Sequence, residues 1–437
     1  MPDAGRPTGP TIAGPRSPAR ALRMRDSLRS LRPLHVEFGF FAASLGIFQA
    51  SRFAFSLAAA HVLDSREFTI YAIFLAVVSY SPALLIGTLN GVGRELPILV
   101  GAGRVADALR LEGVAWSMGV LAAILIVLMA FAAPLVSVPV VVALPAALTT
   151  SGFLLYQVQQ FVLRSNLSFN PASGLQLVCG LVTLGTTAAV LVLEPSTFGE
   201  VAAYYGAGFG AAVLIGLLVR RARWTIERRL IRRTALIGFP IMAAGFLFSL
   251  LITVDRWIAG TTLPAPDAAA YAFASIVISA LLVLPSVLSM QFYPRMAQRY
   301  GRDADPAPVY EMAIRQAALS AISTVLPAVI LVIAGTVLVP VFFPRYADSV
   351  LPIAILAVGY LALVASNSFG NYLNVIGRQW SYLSVQLAAL LPTIGLMLVG
   401  AQLAGAVGIA AGLSVGLVGY SVALWYTAAV LHSHPRE

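Results

Sequence analysis

The sequence predicts an all-α polytopic membrane protein with twelve transmembrane helices arranged as two related halves. Of its 437 residues, 59% are hydrophobic and only 11% are charged, and the mean hydropathy is +0.87. A soluble domain carries about 25% charged residues, so this composition excludes a soluble protein. Apolar runs long enough to cross a bilayer recur along the chain, and paired motifs in the same order mark two halves.

The apolar runs give the positions of the twelve helices. A spanning helix needs about 20 apolar residues, within a range of roughly 17–25. Runs of this kind occupy residues 38–60, 70–92, 114–136, 139–162, 173–193, 201–219, 235–259, 268–292, 317–343, 350–375, 381–399 and 404–431. The gaps on the predicted outer side are short, so we expect no folded domain outside the membrane.

The charges in the gaps predict the orientation. All 28 Lys and Arg positions are arginine, and most of them fall in every second gap. Cytoplasmic loops collect arginine and lysine, and only Arg66 and Arg345 lie in the other set of gaps. Both termini are therefore predicted to be cytoplasmic.

A basic segment at the midpoint divides the chain. Seven arginines lie between residues 220 and 233, with Trp224 and Ile226 among them. The predicted organisation is a disordered basic cytoplasmic tail (1–33), an N-terminal six-helix bundle (34–219), a basic cytoplasmic linker (220–234), a C-terminal six-helix bundle (235–431) and a cytoplasmic tail (432–437). Two six-helix halves that start on the same side must be parallel repeats.

Paired motifs support this internal repeat. They are Ser51-Arg52 with Asp255-Arg256, Tyr71-Ala72 with Tyr271-Ala272, Arg94 with Arg295, and Leu163-Arg164 with Gly377-Arg378. A proline precedes each arginine of the pair Arg94 and Arg295. These prolines are Pro82 in the second predicted helix and Pro285 in the eighth. Proline removes a backbone hydrogen bond and favours a kink, so Pro82 and Pro285 are predicted hinges.

Several classes of function find no support in the sequence. The net charge of +10 is typical of nucleic-acid partners, but the arginines lie between membrane-length runs, so no nucleic acid is expected. The single cysteine, Cys179, permits no disulfide framework. The histidines His35, His61, His432 and His434 lack metal-ligand spacing, and no GxxxxGK[ST] phosphate loop occurs. We therefore expect no metal, no cofactor and no enzymatic activity.

The first helix carries the most informative pattern. Its polar and aromatic positions recur at steps of three and four, which places them on one face of a helix. These positions are Glu37, Phe41, Ser44, Phe48, Arg52 and Phe55. An arginine in the middle of a membrane helix costs about 2.5–3.5 kcal/mol by insertion scales. Such a residue usually faces a water-filled cavity or a partner, so this face is predicted to line a cavity.

Three groups of motifs resemble those of a known superfamily. The first is Ser51-Arg52 followed by Tyr71. The second is the segment 255–260, followed by Ala270-Tyr271 and by residues 292–295. The third comprises residues 342–346, 374–378 and 405–410. Across roughly residues 38–430, the chain resembles the multidrug/oligosaccharidyl-lipid/polysaccharide (MOP) exporter superfamily, and within it the polysaccharide-unit (O-antigen or exopolysaccharide) flippases.

The resemblance implies a fold and a function. It implies two six-helix bundles facing each other across a central cavity, and alternating access. It also implies transport of an undecaprenyl-pyrophosphate-linked oligosaccharide across the cell inner membrane. The expected partners are the lipid bilayer, that lipid-linked glycan, and the polysaccharide polymerase and glycosyltransferase machinery. Drug-exporting branches often have an acidic residue in the first helix, whereas here Glu37 lies only at its mouth.

Candidate site residues follow from this chemistry. Arginine suits pyrophosphate because its planar fork donates in pairs and stays charged, so Arg52 and Arg256 are the predicted phosphate contacts. The alternative role for Arg52 is a structural pair with a carboxylate or with backbone carbonyls. Aromatic and amide side chains are the predicted sugar contacts, and they are Phe48, Tyr80, Asn90, Tyr156, Gln157 and Tyr372.

Two acidic residues are predicted to act as a gate in the transport cycle or to couple that cycle to a proton or an ion. Asp255 is expected to pair with Arg256 or Arg52 at the outer gate, with proton or ion coupling as the alternative. Glu37 lies at the cytoplasmic mouth of the first helix.

Two other functions stay open at this point. One is a cation-coupled multidrug exporter of the same superfamily, which buried acids in the cavity would favour. The other is a membrane glycan polymerase or ligase, which needs a catalytic loop on the outer side. The short outer gaps count against the enzyme, and two arginines at matching repeat positions favour an anionic cargo.

Overall fold

The computed structural model describes residues 34–136 and 138–433, and every regular element in them is helical. The first half contains α1 (Leu34–Val62), α2 (Ser65–Tyr80), α3 (Thr88–Gly101), α4 (Val105–Ala132), α5 (Val140–Ser165), α6 (Phe169–Leu193) and α7 (Phe198–Val219). The second half contains α8 (Arg228–Leu251), α9 (Val254–Thr262), α10 (Ala265–Ser279), α11 (Val283–Asp303), α12 (Pro306–Phe342), α13 (Val350–Val375) and α14 (Gln379–Ser433). The predicted tail 1–33 lies outside the described residues, as do residues 434–437 of the second tail.

The described helices account for the predicted apolar runs. Ten helical segments in the described residues are long and apolar enough to cross a membrane, and some of these segments join two consecutive helices. Counting the bent pair formed by the end of α2 and by α3 as one crossing raises the number to eleven. The prediction of an all-α polytopic membrane protein is confirmed. The predicted number of twelve crossings stays a prediction.

The longest helix, α14, folds back on itself. A straight helix of 55 residues would be about 83 Å long, against a hydrocarbon core of about 30 Å. It breaks at Ala404 and Gly405, where Gly405 has a φ of 57°. Beyond the break, Gly408 packs against Gly400, and a Cβ on either glycine would lie within about 2 Å of the other's carbonyl oxygen. The two arms of α14 correspond to the predicted runs 381–399 and 404–431.

Helix α8 begins earlier than the sequence suggests. Residues 220–227 form the connection between the halves, and the helix starts at Arg228, inside the predicted linker 220–234. Arginine is a good helix former, so the arginines at 228–233 form the first turns of α8, although hydropathy alone excludes them from a membrane run.

The chain bends sharply between α2 and α3. The helical axes change direction by 62° there, and Ile86 and Gly87 have positive φ angles of 46° and 76°. Pro82 lies in the 3₁₀ turn Ser81–Leu85 just before the bend. In the second half, the 3₁₀ turn Ala280–Leu282 precedes α11, in which Pro285 is buried. Both prolines therefore lie next to interruptions, and their role as hinges stays a prediction.

Helix α3 makes the main contact between the two halves. A Cβ on Gly91 would lie 2.0 Å from the carbonyl oxygen of Thr234 in α8. A Cβ on Gly101 would lie 1.9 Å from the carbonyl oxygen of Gln298, and one on Gly301 would lie 1.9 Å from that of Ile98. Gly101 and Gly301 are separated by 200 residues, as are Tyr71 and Tyr271. Gly101 in α3 and Gly301 in α11 therefore occupy corresponding positions of the internal repeat. Glycine at both positions lets the backbones of the two helices come into contact.

Arginines of three helices lie at one end of the molecule, which we call the basic end, and they are Arg94, Arg233 and Arg295. There Arg94 of α3 donates to the carbonyl oxygens of Asn374 (2.6 Å) and Val375 (2.9 Å) at the end of α13. Arg295 of α11 pairs with Glu37 of α1 at 3.4 Å. Both contacts join opposite halves, and the first satisfies carbonyl groups that a helix C-terminus leaves without partners.

Candidate functional site

Arg52 lies partly buried on α1 without an acidic partner. Its Nε donates to the Tyr205 hydroxyl of α7 at 2.7 Å, and its Nη1 reaches the Gln49 side-chain oxygen at 3.5 Å. Its guanidinium carbon lies 5.6 Å from the Phe48 ring centre and 6.0 Å from that of Phe153. Among the described residues, no carboxylate lies within ion-pair distance of it. The structural ion pair considered from the sequence is therefore not formed.

Aromatic rings surround Arg52. They are Phe48, Phe55, Tyr71, Phe153, Tyr156, Tyr205 and Phe209, all buried in the core of the first half. Ring faces attract a cation electrostatically, by about 0.5–2 kcal/mol depending on desolvation. The hydroxyl of Tyr156 has no hydrogen-bond partner among the described residues. Arg52 is therefore held against a buried aromatic cluster that contains one hydroxyl without a partner among the described residues.

The matching position in the second half carries a polar network. Asp255 of α9 is fully buried, and its Oδ2 accepts hydrogen bonds from the hydroxyls of Tyr271 (3.0 Å) and Ser275 (2.9 Å) of α10. Arg256 donates from Nε to the same Ser275 hydroxyl at 2.9 Å. The cation and the acid thus meet through a serine.

The predicted direct pair between Asp255 and Arg256 or Arg52 is wrong. No such ion pair occurs among the described residues, and Asp255 instead binds two hydroxyls. The physical reason is that adjacent residues on a helix do not face each other. Ser275 and Tyr205 were missed from the sequence, although Ser275 follows Tyr271 at the i,i+4 spacing that places both on one helix face.

The structure brings some predicted site residues together and separates others. Phe48 and Tyr156 lie by Arg52, with their ring centres 5.6 Å apart. Tyr372 packs against Tyr310 in the core of the second half, with ring centres 5.2 Å apart. Tyr80 is 64% exposed at the end of α2. No described contact links Tyr372 or Tyr80 to Arg52.

A cavity of about 230 Å³ lies between the halves at the basic end. Its polar lining comes from four helices and includes Asn90, Arg164, Ser289, Tyr293, Asn371 and Asn374. Asn90 was predicted as a sugar contact, whereas Arg164 was predicted only as a helix end. No group of three or more metal-ligating side chains occurs in the part of the chain that the structure describes.

Comparisons with known proteins identify the fold. No family profile and no curated protein sequence matches the chain. Solved structures do match. A mutant of the Vibrio cholerae MATE transporter VcmN aligns with a TM-score of 0.76 and 17% identity, covering 95% of this chain and 98% of that one. The chain has the MATE fold.

Two further solved structures support this assignment. A multidrug resistance MATE family transporter of the MOP superfamily, in an outward-facing conformation, aligns with a TM-score of 0.76 and 13% identity, covering 91% of this chain and 95% of that one. A MOP superfamily transporter from Pyrococcus furiosus aligns with a TM-score of 0.75 and 13% identity, covering 91% and 94%. For the Pyrococcus protein, a binding pocket of reverse polarity and a different function have been suggested. At these identities the likeness concerns the fold.

Proposed function

We propose that the protein is a membrane transporter that moves an undecaprenyl-pyrophosphate-linked oligosaccharide, a polysaccharide repeat unit, across the cytoplasmic membrane by alternating access between its two halves. The observation that carries this proposal is Arg52. It is a cation inside an apolar helix, among aromatic rings, with a tyrosine and a glutamine as its polar partners.

The charge of this region favours an anionic cargo. A buried charge without a counter-ion is costly, and ionisable residues within membrane helices mark substrate pathways. Arginine offers five N–H donors in a planar fork that fits phosphate oxygens in pairs. Arg52 uses Nε for Tyr205 and Nη1 for a long contact to Gln49, so donors remain for a ligand.

The contacts between the halves suit a two-state cycle. At the basic end, the α3–α11 crossing and the Arg94 and Arg295 contacts join the halves. In the proposed cycle these contacts separate to admit cargo on that side. The remaining fold stays intact, because each half has its own buried core.

A second candidate function is a multidrug exporter of cationic compounds. It is favoured by a solved structure of the same fold that is described as a multidrug resistance transporter. It would need an acid to receive a cation. In the described part of the chain the most deeply buried acid is Asp255, and two hydroxyls already occupy one of its oxygens.

Transport in proteoliposomes tests the two candidates. The assay follows a fluorescent lipid-pyrophosphate sugar and, separately, a cationic dye. We expect the sugar lipid to cross, Arg52→Ala to slow it at least tenfold, and Arg52→Lys to retain part of the rate because it keeps the charge. Arg229→Ala is the matched control, since it removes one arginine from the exposed start of α8 and should leave the rate unchanged.

Each alternative result has a distinct meaning. Transport of the dye without transport of the sugar lipid would support the multidrug exporter. Equal sugar-lipid transport by Arg52→Ala, at equal yield of folded protein, would show that Arg52 is a structural residue.

A further inference from the structure

The cavity at the basic end is distinct from the surroundings of Arg52. It is lined by α3 and α5 of the first half and by α8, α11 and α13 of the second. The residues around Arg52 come from α1, α2, α5 and α7, all in the first half. A site built from both halves changes shape when the halves move, whereas a site within one half does not.

In the part of the chain that the structure describes, Arg164 is the one charged side chain that lines this cavity. Its Nε donates to the carbonyl oxygen of Gln160 at 3.1 Å, and its guanidinium stacks over Phe161 at 5.0 Å. Among the described residues, none accepts a hydrogen bond from its two terminal nitrogens, and no carboxylate pairs with it. The ring and the carbonyl hold the guanidinium in place and leave its outer edge free for a ligand.

Hydroxyl and amide groups add further donors. Asn371 donates from Nδ2 to the Ser289 hydroxyl oxygen at 2.7 Å, so the hydroxyl hydrogen of Ser289 is free to point elsewhere. Asn90 and Tyr293 line the same space. Together with Arg164 they form a set of donors that matches the oxygens of a phosphate group.

One lining atom points to a second part of the ligand. The side-chain oxygen of Asn374 is buried and has no hydrogen-bond partner among the described residues. A buried acceptor without a donor is costly, and a sugar hydroxyl would supply that donor. The cavity of about 230 Å³ is close to the liquid volume of roughly eight waters at about 30 Å³ each. This is room for one phosphate and one sugar ring, not for a whole oligosaccharide.

The C-terminus of α13 would repel a bound anion if its carbonyl groups had no hydrogen-bond donors, because a helix C-terminus carries partial negative charge. Arg94 occupies this end by donating to the carbonyl oxygens of Asn374 and Val375. Glu95 pairs with both Arg94 and Arg233, and neither Arg94 nor Glu95 lines the cavity. Arg164 therefore dominates the charge inside it.

We propose that this cavity is a second binding site, specific for a sugar 1-phosphate group, in which Arg164 binds the phosphate and Asn374 accepts from a sugar hydroxyl. It would hold the head group at the basic end, separately from Arg52. The assignment of this group to a lipid-linked cargo rests on the proposed function, while binding of the group itself does not.

Calorimetric titration in nanodiscs tests this site. The probes are N-acetylglucosamine 1-phosphate, inorganic phosphate, and a short-chain polyprenyl-pyrophosphoryl N-acetylglucosamine. All binding measurements use the Arg52→Ala background, so that the site by Arg52 does not contribute, whereas transport of the polyprenyl probe is measured with Arg52 present. We expect Arg164→Gln in this background to weaken binding of both sugar probes at least tenfold. Asn374→Leu should weaken the sugar phosphates severalfold and leave inorganic phosphate unchanged.

A further variant guards against misfolding. Asn90→Leu keeps the branching of the side chain and the charge of the protein but removes the amide group, so it should weaken the sugar phosphates severalfold. The proposal would be overturned if Arg164→Gln left sugar-phosphate binding unchanged. It would also be overturned if Asn90→Leu, in folded protein, left this binding unchanged.

The two ligand sources are distinguished by the probes. Tight binding of the soluble sugar phosphate, together with no binding or transport of the polyprenyl probe, would keep this site and reject the lipid-linked cargo. Transport of the polyprenyl probe that depends on Arg52 and not on Arg164, with unchanged binding, would keep the proposed function and reject this site.

Discussion

The two halves of the molecule place different chemistry at matching positions. In the first half, Ser51 precedes Arg52, and its hydroxyl donates to the carbonyl oxygen of Phe48 in its own helix. In the second half, Asp255 precedes Arg256 and accepts from Tyr271 and Ser275. The acid and its arginine are thus linked through the Ser275 hydroxyl, while the other oxygen of Asp255 has no hydrogen-bond partner among the described residues. Among the described residues, Arg52 has no acid that is linked to it in this way.

The paired tyrosines Tyr71 and Tyr271 also differ in their hydrogen-bond partners. Tyr71 contacts the Ser56 hydroxyl at 3.3 Å, while its counterpart Tyr271 donates to Asp255. In the first half a tyrosine from α7, Tyr205, holds the arginine instead. We infer that the second half uses its polar residues for internal stability, whereas the first half keeps a cation for cargo. Three sets of variants test this division.

The largest effect is expected at the position where the halves differ. Asp255→Ala leaves the hydroxyls of Tyr271 and Ser275 buried without their acceptor, so we expect a loss of about 2–3 kcal/mol in the free energy of unfolding. Ser51→Ala removes a bond within one helix and should cost less than about 1 kcal/mol. Unfolding in a graded detergent mixture, followed by circular dichroism, measures both.

The variant Asp255→Asn separates lost hydrogen bonds from altered packing. It keeps a side-chain oxygen that can accept from Tyr271, so its loss should lie between those of the two alanine variants. Equal losses for Asp255→Ala and Ser51→Ala would show that the network does not stabilise the second half.

A smaller effect is expected from removing one tyrosine hydroxyl in each half. Tyr271→Phe takes one of two donors from a fully buried carboxyl group, and hydrogen bonds between membrane helices reach about 1.7 kcal/mol. Tyr205→Phe takes a partner from an arginine that is only partly buried and also reaches Gln49. Its cost should be near the membrane average of about 0.6 kcal/mol. The same unfolding assay compares them, and a larger loss for Tyr205→Phe would reverse the assignment of the two halves.

The sequence predicted much of the fold because hydropathy and repeat order are local signals. Reading along the chain is enough to find the apolar segments, the paired tyrosines Tyr71 and Tyr271, and the Gly377-Arg378 motif that precedes α14. The start of α8 was predicted too late, since arginines at 228–233 are helical but not apolar. Whether each described helix crosses the bilayer stays a prediction, as does the cytoplasmic location of the termini.

The candidate sites were harder to predict, because side-chain partners come from distant helices. Asp255 was recognised as important, but its partners depend on how α10 packs beside α9. Arg164 resembled an ordinary loop anchor, since an arginine at a helix end fits the charge rule for orientation. Only the folded arrangement, in which α5 faces α11 and α13 across the cavity, shows that Arg164 lines it.

The smallest change to the protein tests the role of charge most directly. Gln49→Glu has nearly the same shape as the native side chain and places a carboxylate beside the Arg52 Nη1, which lies 3.5 Å from the Gln49 oxygen. Gln49 is exposed, so stability should change by less than about 1 kcal/mol. If Arg52 binds an anionic cargo, neutralising it should lower the transport rate of the lipid-pyrophosphate sugar three- to tenfold. Gln49→Ala removes the contact without adding charge and should transport at nearly the native rate, so equal rates for the two variants would separate Arg52 from cargo binding.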